Sequence, residues 1–265
     1  MNSTNECVIQ NGADEFLWCE ATGQGVPVVF IHGFSFDAST WDLQFKALGG
    51  RYRGIRYDLR GFGRSSDPSG KYSHSEDLLA IFREFEIDSA YIVGLSLGAN
   101  VALTFAIDHP ARVKSLILAS PGLPGFEWSD ERPPDAARRH AAAYGLDAAK
   151  QFWFDHPMFA SARALPAVAS ALRDLIARYR GWHWTVGANA RAPASLIGEL
   201  WRVRCPTLIV NGARDVKGYV DIGLVLFNEI ANVKRVELEG VGHLVNMEAP
   251  ERFNEAMLKF LDQCN

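Results

Sequence analysis

The segment Gly94-Leu95-Ser96-Leu97-Gly98 follows the apolar run Tyr91-Ile92-Val93 and opens a helical pattern that continues to residue 108, and it constrains the fold of this chain more than any other. A serine pinched between a buried strand and a helix must occupy a sharp, strained turn that exposes its hydroxyl. Glycines on either side let strand and helix approach closely. Ser96 is therefore a candidate nucleophile. The amide of Leu97, at a helix N-terminus, is a candidate donor to an anion, because the first amides of a helix lack intrahelical partners and the dipole favours negative charge there.

The same strand-then-helix alternation recurs along most of the chain and predicts an α/β fold with a mostly parallel sheet. Short β-branched runs mark strands at 7–10, 16–20, 26–31, 54–57, 90–93, 113–119, 207–211 and 234–238, with helical periodicity at 77–85, 97–108, 220–229 and 251–261. No helix separates the first two strands, so they are expected to pair as an antiparallel hairpin. Between Pro121 and Pro206 no strand pattern appears, and helix formers are interrupted by joints such as Pro121-Gly122-Leu123-Pro124-Gly125. Residues 121–205 are thus expected to form a helical insertion on a loop of the sheet, with helices at 136–144, 147–154, 167–179 and 194–201, within a core made of residues 1–120 and 206–265.

Composition removes several function classes. The 27 Lys and Arg are outnumbered by 31 Asp and Glu, so no basic face is available to a nucleic acid. No apolar run approaches the roughly 18 residues that span a bilayer. Residues 1–6 carry no basic stretch leading into an apolar one, so a cytoplasmic protein is expected. Cys7, Cys19, Cys205 and Cys264 are scattered without a C-x-x-C pair, which suggests no metal site and reduced thiols. Cys7 and Cys19 are nonetheless placed to face one another across the N-terminal hairpin.

Further motifs carry a resemblance. His32-Gly33-Phe34 ends the buried run 26–31. Asp58-Leu59-Arg60-Gly61-Phe62-Gly63-Arg64-Ser65, Asn211-Gly212-Ala213-Arg214-Asp215 and Gly240-Val241-Gly242-His243 follow strands 54–57, 207–211 and 234–238. Together with the turn at Ser96, in this order, they resemble the α/β-hydrolase fold superfamily. The resemblance implies an eight-stranded sheet with the nucleophile after the fifth strand, an acid after the seventh, a histidine after the eighth and a helical cap after the sixth. Ser96, Asp215 and His243 stand at those three positions. The chemistry needs such a trio, because a hydroxyl becomes a competent nucleophile only when an imidazole takes its proton and a carboxylate holds the correct tautomer. The resemblance also implies a second oxyanion donor, the amide of Phe34, beside that of Leu97. His32 and the segment from Asp58 to Ser65 are read as loop-fixing elements. Asp221 is the alternative acid.

Serine rather than aspartate at 96 disfavours the haloalkane dehalogenase and epoxide hydrolase branches. Acyl transfer to water remains, with hydrolysis of a small, apolar carboxylic ester or lactone leading and no cofactor required. C–C bond hydrolases, cofactor-free haloperoxidases or perhydrolases, and a non-enzymatic small-molecule receptor share the same motifs and stay open. Trp41, Trp128, Trp182 and Trp184 are candidate walls of an apolar substrate mouth. Trp as core filler is the competing reading for each.

Overall fold

The computed structural model describes residues 5–10, 14–186 and 194–264. Residues 1–4, on which the reading of the N-terminus partly rests, lie outside them. Eight strands form one sheet: β1 (Asn5–Gln10), β2 (Phe16–Thr22), β3 (Pro27–Ile31), β4 (Arg53–Tyr57), β5 (Ala90–Leu95), β6 (Val113–Ala119), β7 (Thr207–Gly212) and β8 (Val233–Leu238). Their spatial order is β1-β2-β4-β3-β5-β6-β7-β8. β1 and β2 pair antiparallel, β2 joins β4 antiparallel, and every later pairing is parallel.

Burial follows position in the sheet. β5 and β7, covered on both faces, are buried at every residue, whereas the edge strands β1 and β8 are largely accessible. Continuous apolar runs in the centre are what a parallel sheet wrapped by helices requires. Helices α1 (Asp42–Ala47), α2 (His74–Glu84) and α3 (Leu97–Asp108) follow β3, β4 and β5. Between β6 and β7 lie α4 (Pro133–Tyr144), α5 (Leu146–Asp155), α6 (Ala160–Arg163), α7 (Pro166–Arg178) and α8 (Trp182–Thr185), with no strand among the described residues. α9 (Lys217–Glu229), α10 (Val245–Glu248) and α11 (Pro250–Gln263) complete the chain. In α11 the buried residues Phe253, Met257, Phe260 and Leu261 fall on one stripe, the spacing by which a helix packs on a sheet.

All eight expected strands are present, and the structure departs from expectation at helix starts. α4, α7 and α11 begin at Pro133, Pro166 and Pro250, because proline at the first helical position fits the fixed φ and loses no hydrogen bond. The helix expected at 194–201 does not form. Gly198 takes a left-handed φ of 85°, and only the single 3₁₀ turn Leu200–Arg202 survives.

The expectation of four free thiols is corrected as well. The β1–β2 register sets Cys7 directly opposite Cys19, and the two form a disulfide, leaving Cys205 and Cys264 free. With it goes the argument from cysteine usage for a reducing compartment. Among the described residues, no helix is long and apolar enough to cross a membrane.

Candidate active site

The turn between β5 and α3 has the geometry its sequence demands. Ser96 adopts φ 53° and ψ −104°, a left-handed conformation rare for any residue but glycine, and its amide donates to the Ala119 carbonyl at 2.9 Å. Gly98 is obligatory here, since a Cβ would strike the carbonyl oxygen of Ile31. The backbone strain thus lifts the Ser96 side chain out of the sheet, and Leu97 becomes the first residue of α3.

Asp215 and His243 stand on the loops after β7 and β8, neighbouring strands of the sheet. His243 Nδ1 bonds Asp215 Oδ2 at 2.8 Å, and Asp215 Oδ1 accepts the Val216 amide at 2.8 Å. Both side chains are almost completely buried. The pairing commits Nδ1 of the imidazole to the carboxylate and leaves Nε2 for a hydroxyl. The loop carrying His243 is held by a carboxylate that sequence reasoning overlooked. Glu248 accepts the amides of Gly242 at 2.7 Å and Leu244 at 3.0 Å, gripping the histidine's backbone from both sides. Asp221 is occupied elsewhere, in a surface pair with Lys217 at 2.5 Å.

The imidazole packs against a residue without any signature in the sequence. Tyr219 lies in the first turn of α9. Its ring lies 4.1 Å from that of His243.

The loop after β3 is equally constrained. Buried His32 accepts the Leu59 amide at Nε2, 2.9 Å away, and its Nδ1 donates to the Gly33 carbonyl at 2.8 Å. Burial holds its pKa below the usual imidazole value, so His32 stays neutral and ties the loop after β3 to the one after β4. Asp58 accepts the amides of Ala38 and Arg64, which matches the loop-fixing role expected of its segment. Ser35 takes a left-handed φ of 65° and receives a hydrogen bond from Trp153 Nε1 at 2.7 Å, a link from α5 into this loop that the sequence did not announce. The Phe34 ring sits among Phe62, Trp153, Tyr179, His183 and Trp184, with centroids 5.5 to 5.9 Å away.

A cavity of about 510 Å³ opens beside Phe34 and Leu97, bounded by Val101 from α3, Pro134 from α4, His183 from α8 and Leu196. None of the four tryptophans read as pocket walls borders it. Trp41 is fully buried under the sheet, its ring 5.4 Å from Phe30 and 5.9 Å from Phe253. Trp182 and Trp184 are also buried, the second behind the Phe34 ring. Trp128 packs edge-on against Tyr219 at 5.0 Å. Phe34 and Leu97 themselves do border the cavity. Among the described residues, no group of three or more His, Cys, Asp or Glu side chains is arranged to hold a metal ion.

An eight-stranded sheet carrying this serine turn and a histidine–carboxylate pair on adjacent strand ends defines a class. Residues 28–256 match the alpha/beta hydrolase family, and the chain belongs to it. A putative non-heme chloroperoxidase from Synechocystis sp. is 27% identical over 280 residues, covering 95% of this chain and 97% of its own. The 3-oxoadipate enol-lactonase 2 of Acinetobacter baylyi is 25% identical, with 90% and 89% covered. Among solved structures, a thermophilic esterase from Thermogutta terrifontis superposes with a TM-score of 0.84 at 26% identity, over 98% of this chain and 99% of that one.

Proposed function

We propose that this chain is a serine hydrolase that cleaves a small carboxylic ester or lactone through an acyl-enzyme on Ser96. The observation that carries the reading is the 2.8 Å bond from His243 to Asp215, together with the strained turn that presents Ser96. The relatives named as an esterase and an enol-lactonase support it.

In this mechanism Ser96 Oγ attacks the substrate carbonyl carbon and its proton passes to His243 Nε2. The Asp215 carboxylate holds the tautomer and stabilises the imidazolium. The amides of Phe34 and Leu97 receive the oxyanion, a pair of donors worth several kcal/mol in such reactions. His243 then protonates the departing oxygen, water repeats the sequence on the acyl-enzyme, and Ser96 is restored. The cavity beside Phe34 and Leu97 receives the apolar part of the substrate. Residues 121–205 act as a cap over it, fastened to the core by Arg178 on Asp37 at 2.9 Å and Arg180 on Asp67 at 2.7 Å.

Hydrolysis of p-nitrophenyl esters and of lactones with matched acyl chains tests the reading. Turnover that Ser96→Ala lowers by at least about 10³-fold is expected. Absence of turnover across the panel, or turnover that survives Ser96→Ala, refutes it. The chloroperoxidase relatives favour a second reading, in which hydrogen peroxide replaces water as acceptor of the acyl group and a peracid is released. Bromination that depends on a carboxylic acid, peroxide and Ser96, at a rate exceeding ester cleavage, would put that reading first.

A further inference from the structure

His183, in α8, stands between two phenols, and the protons there can be assigned one by one. Its backbone amide donates to the Tyr179 hydroxyl oxygen at 3.1 Å, and its Nδ1 lies 3.0 Å from the same oxygen. On the other side, Nε2 lies 2.9 Å from the Tyr72 hydroxyl oxygen. Burial, with the Arg180 guanidinium, lowers the His183 pKa to about 3, so the imidazole is neutral and carries a single ring proton.

Tyr179 decides which nitrogen carries it. The amide occupies one lone pair of the Tyr179 oxygen, and with only 2% of the residue exposed its own O–H needs an acceptor inside the protein. Among the described residues that acceptor is His183 Nδ1. The opposite tautomer would aim Nδ1–H at an oxygen that already receives the amide and would strand the Tyr179 proton, a buried donor left without a partner. Nδ1 therefore accepts, and Nε2–H donates to Tyr72. The Tyr72 oxygen is then an acceptor, and its own proton remains to be given. Among the described residues no acceptor meets that proton. The Tyr72 ring is held edge-on by His74 at 5.0 Å and Trp182 at 6.2 Å, with the Arg60 guanidinium 5.6 Å from its centroid, and only 8% of the residue is exposed. Tyr72 and His183 both border the cavity of about 510 Å³ that Phe34 and Leu97 also line.

We propose that Tyr72 is a specificity-determining residue, whose hydroxyl, oriented by His183 and Tyr179, donates a hydrogen bond to a neutral oxygen of the substrate part that fills the cavity. The substrate is then an ester or lactone with a second oxygen acceptor, a carbonyl or an ether, set in its apolar part away from the reacting carbonyl. The inference rests on the serine-hydrolase reading given above. A neutral acceptor fits better than a carboxylate, because the charges of the lining balance. Arg132 is bonded to Asp135 at 2.8 and 3.0 Å, and Arg138 is matched by Asp108. Burial raises the Tyr72 pKa above that of an ordinary phenol, so the hydroxyl keeps its proton at the working pH. A substrate oxygen satisfies this donor and a hydrocarbon of the same shape leaves it unpaired, which is how one hydrogen bond discriminates between substrates.

The test measures kcat/KM on the p-nitrophenyl esters of hexanoic, 4-oxohexanoic and 5-oxohexanoic acids, which place the oxygen in the acyl half. A second pair, 4-isopropylphenyl and 4-acetylphenyl acetate, places it in the alcohol half. Each value is divided by the rate of hydroxide hydrolysis of the same ester, which removes differences in intrinsic reactivity. In the wild type at least one oxygenated ester is expected to exceed its hydrocarbon partner by about 5-fold or more, and in Tyr72→Phe that preference is expected to vanish. A merely structural role would lower both members of a pair by one factor and leave their ratio unmoved. A wild type with no preference for the oxygenated ester in any pair overturns the inference, whether or not Tyr72→Phe folds. A preference that survives in Tyr72→Phe overturns it as well, and in both cases the hydrolase reading stands. A wild type that hydrolyses none of the esters overturns the hydrolase reading and this inference with it.

Discussion

Replacing His183 with glutamine should make the fold less sensitive to acid. His183 is half-buried between Tyr72 and Tyr179, whose hydroxyls meet Nε2 at 2.9 Å and Nδ1 at 3.0 Å, and it stacks on Phe62 at 4.3 Å. Burial, aided by the Arg180 guanidinium, pushes its pKa down from 6.5 to about 3. A depressed histidine pKa means that the unfolded chain takes up a proton near pH 6.5 while the folded one refuses it until about pH 3. Its contribution is fully present above pH 6.5 and is lost as pH falls through that window. At about 1.4 kcal/mol per pH unit, the loss by pH 4 is about 3 kcal/mol. Urea unfolding followed by tryptophan fluorescence at pH 7, 6, 5 and 4 measures it. Wild-type stability should drop more steeply than that of His183→Gln, by about 3 kcal/mol over the range. His156, also depressed by burial to about 4, and the well-depressed His74 act in the same direction but remain in both proteins and cancel. Parallel stability profiles for the two proteins would refute the assignment of a neutral His183.

Two other predictions address the loop after β3 and the N-terminal hairpin. Trp153→Phe removes the donor to Ser35 Oγ while keeping an aromatic ring, and Ser35→Ala removes the acceptor. Each should cost about 1–3 kcal/mol of stability, and each should lower kcat more than it raises KM, because the bond sets the backbone that carries the Phe34 amide. Unchanged kcat in both variants contradicts that coupling. Alkylation of the unfolded chain should tag Cys205 and Cys264 before reduction and all four cysteines after it. Reduction should cost about 3 kcal/mol of stability on the chain-entropy account of a loop of 12 residues. Four tags without reductant would deny the Cys7–Cys19 bond.

What was legible in the sequence was local. The Ser96 turn, the limits of α3 and all eight strands follow from periodicity and punctuation within a dozen residues. Asp215 and His243 were found because the family resemblance implies an acid after the seventh strand and a histidine after the eighth, and each stands at that place in the strand count. The residues that were missed depend on distant packing. Tyr219 packs on His243 only because α9 lies along β7 in a particular rotation, and Trp153 reaches Ser35 across 118 positions of sequence. The tryptophans illustrate the limit from the other side. Aromatic content identifies a large apolar side chain but not the face it covers, so Trp41 proved to fill the core and Trp184 to back the Phe34 ring. At 194–201 a helical pattern was outweighed by one glycine in a left-handed conformation. The Cys7–Cys19 pair turned on strand register, which a short edge strand and its neighbour do not declare until they are paired.

The central claim is that Ser96 is made nucleophilic by His243, oriented in turn by Asp215. A fluorophosphonate probe tests it most directly, because it phosphonylates only an activated serine and needs no knowledge of the natural substrate. Peptide mass mapping should find one adduct, on the peptide holding Ser96, with labelling slowed by orders of magnitude in His243→Ala and abolished in Ser96→Ala. A folded wild type that takes no label, or takes it at the same rate once His243 is gone, would contradict the account.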